Sequence, residues 1–242
     1  MKRRRPLLPA VTLGVLCTLA SFGCKKKEPT GDELLATHRA AIEPRAANYE
    51  KIAKAALPAA TGRIKLAGPP MHMLSPISTP KNGNAVFGFA EDLKDLSTFG
   101  DVNLRTSDNM ELANHCFMLV RKHSLAGMYS KTSKSPPEWP EWNQLIITNA
   151  IESCALLRYV VIVKMSSYKA SEYVDKKTYV GGSVKGDLLV FDLDTGAFAG
   201  GVPFDAESSD FTKSDHAADL SNNFYAAIRG ALQKALPDAK GL

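Results

Sequence analysis

The chain has 242 residues and a formal charge of +5, but its first 23 residues hold four of the 30 Lys and Arg and none of the 25 Asp and Glu. From Cys24 onward 26 bases face 25 acids, so the body of the protein lacks the basic excess that a nucleic-acid footprint needs. That body is long enough to bury one sizeable core, and it contains no second run able to span a bilayer.

Met1-Lys2-Arg3-Arg4-Arg5 opens the chain with four positive charges, Leu7 to Gly23 is a run of seventeen uncharged residues, and Cys24 is followed by Lys25, Lys26 and Lys27. A basic start, an apolar middle and a small residue before the cut form a secretory signal peptide. The basic end stays on the cytoplasmic side while the apolar run enters the bilayer. As a helix, seventeen residues reach about 26 Å, short of the roughly 30 Å hydrocarbon core. Export is therefore expected rather than a permanent span.

The site Ser21-Phe22-Gly23-Cys24 resembles the lipobox of bacterial lipoproteins, in which a small residue precedes an obligatory cysteine. The resemblance covers about thirty residues and implies cleavage between Gly23 and Cys24, with Cys24 as the lipidated residue. Residues 1–23 are then the signal peptide, 24–30 a tether and 31–242 a single domain. It also implies a periplasm-facing place in the bacterial cell envelope. Lys25 is not the retention Asp of some lipoproteins, which favours the outer membrane. The alternative is ordinary secretion after the same cut, which leaves Cys24 a free thiol and the protein soluble.

Beyond the tether, Thr30 and Glu33 form a capping-box pattern. A helix is expected from Asp32 to Leu57, with Leu35, Ile42, Tyr49, Ile52 and Ala56 as its apolar stripe and Pro44 kinking or splitting it. Residues 68–84 are rich in Pro and Gly and read as a long loop that carries His72. Ala85 to Ala90 reads as a short strand. Asp108 and Glu111 start a second helix to about His123, with Leu112, Cys116 and Leu119 on one side. Ser130 to Pro140 is a loop, and Trp142 to Leu156 a further helix. Tyr159 to Met165 is the strongest strand, β-branched and continuous enough to lie inside a sheet. Ser183 to Leu193 and Phe198 to Phe204 are strands joined by the turn Asp194-Thr195-Gly196, with Pro203 suited to an edge. A last helix runs from Asp215, capped by Ser214, to Leu236, its stripe being Leu220, Phe224, Ile228, Ala231 and Leu232. The fold class is α+β: an antiparallel meander of three to five strands with flanking helices, the C-terminal amphipathic helix among them.

Each motif has a plain structural explanation. Leu193-Asp194-Thr195-Gly196-Ala197 matches the short signature of aspartic proteases, but that chemistry needs a second carboxylate sharing a proton, and a hairpin turn asks for the same residues. Asp187, Asp192 and Asp194 lack the spacing of a calcium loop. His115 and His123 stand too far apart on a helix to chelate zinc, and Cys116 beside His115 points to another side of that helix. His38 reads as helix surface, and His216 near a helix start suggests no role. Gly181-Gly182 and Gly200-Gly201 precede no helix that would receive a phosphate. Trp139 and Trp142, flanked by Glu138 and Glu141, are the candidate partner surface; core packing of Trp142 with Trp139 bracing the helix entry is the favoured account of them. Cys116 and Cys154 are the candidate disulfide, closing a loop of about 40 residues and contributing about 4 kcal/mol in the chain-entropy model.

No catalytic residue, metal ligand or cofactor site is assigned. The expected function is that of a membrane-anchored envelope lipoprotein, a non-enzymatic binding or structural module. Its partners would be membrane lipid through acylated Cys24, together with another envelope protein or the cell wall, and not nucleic acid. A hydrolase or a small-ligand-binding domain of the periplasm is the alternative.

Overall fold

A computed structural model describes residues 29, 31–73, 83–90, 144–173, 179–208 and 216–242. Its elements in chain order are helix α1 (Gly31–Lys54), strands β1 (Arg63–Ile64) and β2 (Ala85–Phe89), helix α2 (Gln144–Leu156), strands β3 (Tyr159–Lys169), β4 (Glu172–Tyr173), β5 (Tyr179–Val180), β6 (Ser183–Asp192) and β7 (Ala197–Glu207), and helix α3 (His216–Ala235). Five strands form one sheet in the order β1-β7-β6-β3-β2, and β4 pairs with β5.

Strand β3 explains the layering. Successive strand residues point to opposite faces. Val160 and Ile162 enter one cluster with Ile42, Ala46, Tyr49 and Ile52 of α1 and Ile151 and Cys154 of α2. Tyr159, Val161 and Val163 enter the other with Leu220, Phe224, Ile228 and Leu232 of α3. Both faces are thus covered at this level, which is why the sequence here is apolar without alternation. Phe224 is the centre of the α3 side, stacked on Phe89 at 6.2 Å and edge-on to Phe204 at 5.6 Å. Each fully buried side chain of this kind stabilises the fold by about 1.5–3 kcal/mol.

The expected α+β class holds, and the sheet is mostly antiparallel: β3 with β6, β6 with β7 and β7 with β1. Strand β2 is the exception. It lies parallel to β3, with Ala85 opposite Tyr159 and Phe89 opposite Val163. A parallel pair needs a long crossover, and the chain between these strands supplies one that includes α2. Where the β3–β6 ladder gives way to the β4–β5 pair, the Gly182 N–H donates to Ser208 Oγ at 2.7 Å and Ser171 Oγ at 3.1 Å. The Ser208 N–H donates in turn to the Gly182 carbonyl at 2.9 Å.

The outer side of β7 meets β1 only at Gly200 and Gly201. Beyond that point, among the described residues, no strand flanks it. Pro203, Asp205 and Glu207 there have exposed side chains.

Two expectations about α1 need correction. Pro44 does not split the helix, which continues through it from Gly31 to Lys54. Pro44 and Ala40 are both exposed, so the carbonyl that loses its N–H partner is open to water, while Ile42 and Ala46 are held in the core on either side. The stripe begins at Leu34 rather than Leu35, which is half-buried, and Ala56 lies exposed past the helix end. The helix expected from Asp108 to His123 and the loop from Ser130 to Pro140 lie outside the described residues.

Candidate functional site

The most concentrated group of charges surrounds the β6–β7 turn. Asp192 closes β6, and its carboxylate is 5% exposed. It accepts from Arg158 Nη2 at 2.9 Å and Nε at 3.2 Å, and from the Asp194 N–H at 2.8 Å. Asp194 accepts from Arg45 Nε at 2.6 Å and lies 3.4 Å from Arg158 Nε. Asn48, one turn along α1, donates to the Leu193 carbonyl at 2.9 Å. Arg45 also donates to the Ala155 carbonyl, one of the orphan acceptors at the end of α2. The hydrogen bond to Asp192, above all, raises the Arg158 guanidinium above its ordinary value, so it remains charged.

Arg158 is also confined from above and below. Its guanidinium lies 5.5 Å from the Tyr159 ring centre and packs against Gly68 so closely that a β-carbon there would collide with it. The Tyr159 hydroxyl donates to the Pro69 carbonyl at 3.0 Å. Burial pushes the Tyr159 phenol upward, against the pull of the Arg158 charge. Together these contacts fasten α1, the end of α2, the 68–69 segment and the β6–β7 turn to one another. Each carboxylate is answered by a guanidinium rather than by the other carboxylate, so the pair has no resemblance to an acid–base dyad.

The Asp-Thr-Gly motif is therefore a turn. Gly196 has φ +73°, its N–H donates to the Asp192 carbonyl at 2.7 Å, and the Ala197 N–H donates to Thr195 Oγ1 at 3.2 Å. Asp187 does not join Asp192 and Asp194; it stands opposite Lys164 in the β3–β6 ladder. Among the described residues, no three His, Cys, Asp or Glu side chains gather in a way that would hold a metal ion.

A second feature was not expected. The segment expected as a long loop is partly laced into the sheet: His72 bridges Lys240 in parallel, and Met73 bridges Ala85. Lys240 donates from its N–H to the Met71 carbonyl at 3.0 Å and accepts from the Met73 N–H at 2.9 Å. Asn84 fixes the near side, accepting from the His72 N–H at 2.8 Å and donating to the Pro70 carbonyl at 3.2 Å. Between this segment and the turn after α3 lies a cleft of about 630 Å³ lined by Pro70, Met71, His72, Pro237, Asp238 and Lys240. It adjoins a smaller cavity of about 220 Å³ that Leu66 and Leu236 help to line. The volume of the larger cleft falls in the range of small-molecule sites. Sequence reasoning missed it because it is made by pairing across more than 160 positions, and nothing local marks that pairing.

The other sequence candidates are placed as follows. Cys154 is disulfide-bonded and 2% exposed. Cys116, its expected partner, lies outside the described residues, as do Gly23, Cys24, Trp139, Trp142, His115 and His123. His38 is half-buried on α1, and His216 is the first residue of α3. Among the described residues no helix is long and apolar enough to cross a membrane. Comparison with known proteins returns no match among family models, curated proteins or solved structures.

Proposed function

We propose that this chain is a bacterial envelope lipoprotein whose domain is a non-enzymatic binding module, held by acyl chains on Cys24 and facing the periplasm. The reading is carried by the N-terminal stretch: a charged start, an apolar run too short to span, then Gly23-Cys24. A single acyl chain gives only marginal membrane binding, whereas two or more hold a protein durably. The bonded state of Cys154 supports an oxidising compartment, because disulfides persist outside the reducing cytosol. Export also points to the other partner in that bond. Once the signal peptide carries away Cys17 and Cys24 is acylated, Cys116 is the one thiol left.

The partner is an envelope protein, the cell wall or a small solute of that compartment.

Cys24→Ala tests the location. The native protein should fractionate with membranes, incorporate labelled palmitate and carry an N-terminal mass raised by acyl groups, while the variant loses all three. Recovery of the native chain from the soluble fraction with residues 1–23 attached overturns the proposal. A non-reduced peptide map should show the Cys116 and Cys154 peptides joined.

A further inference from the structure

We propose that the cleft between the 70–72 segment and the 237–240 turn binds a small zwitterion of the amino-acid or short-peptide class. The inference rests on the reading of this domain as a binding module and specifies what it binds. The cleft has an apolar floor and mixed charge at its mouth. Met71 is buried at the bottom, and Pro70 and Pro237 line the sides, which suits an aliphatic side chain. His72, Asp238 and Lys240 line the same cleft. Among the described residues none of these three side chains makes a hydrogen bond or ion pair with the protein.

The backbone explains why these groups converge. Residues paired across a strand ladder project to the same face, so the His72–Lys240 bridge starts both side chains from one face, and both line the cleft. Asp238 sits in the turn two residues before Lys240. Lys240, with His72 as a second donor, answers a ligand carboxylate. Asp238 answers a ligand ammonium. Asn84 is a positioning residue: its amide oxygen and nitrogen each bond the backbone of residues 70–72, so it holds the wall. A simple anion or a simple amine would satisfy only half of this lining, while a zwitterion satisfies both signs.

The test is calorimetric titration of the full exported chain with L-leucine and with L-leucyl-L-leucine at millimolar concentrations. At least one should bind saturably. 4-Methylpentanoate, which lacks the ammonium, and 3-methylbutylamine, which lacks the carboxylate, should each bind about tenfold more weakly or worse, as expected when one charged contact is lost. Asp238→Asn and Lys240→Met should each weaken leucine or dipeptide binding by about tenfold or more. Both residues are exposed, so an unchanged circular dichroism spectrum and melting temperature are expected and separate lost binding from lost fold. No saturable binding by either probe overturns the inference, as does equal binding of either half-analogue or full affinity in both variants. The result is independent of the Cys24→Ala fractionation, so either proposal can fail while the other stands.

Discussion

Replacing Asp192 by alanine removes the acceptor around which the β6–β7 turn is organised. Its carboxylate takes two hydrogen bonds from Arg158 and one from the Asp194 N–H, and it is 5% exposed. Removing one partner of a buried ion pair typically costs about 3–5 kcal/mol, because the other charge is left without compensation. Here the penalty is smaller. The Arg158 side chain is 24% exposed and retains Asp194 at 3.4 Å, so part of its charge is answered by water and part by the neighbouring carboxylate. An expected loss of about 2–3 kcal/mol follows. Urea unfolding followed by circular dichroism, with the disulfide kept intact, reads this as a lower midpoint at unchanged slope. Arg158→Ala and the double variant complete a cycle, and contacting residues of this kind should show a coupling of about 1–2 kcal/mol. A loss below about 0.5 kcal/mol, the level of an ordinary surface change, would refute the assignment of this cluster as a structural clamp. Strict additivity in the double variant would do the same.

Three further perturbations probe other parts of the fold. Gly182→Ala places a methyl group 2.6 Å from Ser171 Oγ and 2.7 Å from both Leu220 Cδ2 and the Lys169 carbonyl; this overpacking should destabilise by about 1–3 kcal/mol and raise amide exchange in the β3–β6 hairpin. Gly230→Ala lies in helix α3 with open space around the new β-carbon, so it should stabilise by about 0.5–1 kcal/mol, read as a higher urea midpoint. Burial raises the folded-state value of Tyr159 above its ordinary one. Its contribution is thus complete below pH of about 10 and is lost as pH rises through the folded value, because the unfolded chain releases the proton first. The alkaline limb of a stability–pH curve should flatten in Tyr159→Phe, and an unchanged limb would count against burial of the phenol as its cause.

The sequence was most informative where burial repeats with the period of one element. The β-branched run from Tyr159, the Asp-Thr-Gly turn and the stripe Leu220, Phe224, Ile228, Leu232 all lie where their spacing placed them. Each is a local signal: side-chain alternation, turn chemistry or helical period. The misses are long-range. The parallel partnership of β2 and β3 is separated by a crossover, and pairing across such a distance leaves no trace in either strand. The two-residue β1 carries too little pattern to register, yet it sets the backbone at Gly200, where φ is +120° and a β-carbon would strike the Arg63 carbonyl. Arg45 and Arg158 look like ordinary surface bases in the sequence; only the fold brings them to the carboxylates of the turn. The cleft at His72 and Lys240 was illegible for the same reason, since an expected loop and a chain end became neighbours through backbone bonds.

The stretch of β7 past Gly201, which no strand flanks among the described residues, bears on how copies of this protein would behave side by side. Open strand margins recruit one another. Here that margin carries a proline with no N–H to share, while Asp205 is paired with Lys185 at 3.1 Å, so a neighbour arriving with the same margin would meet a missing donor.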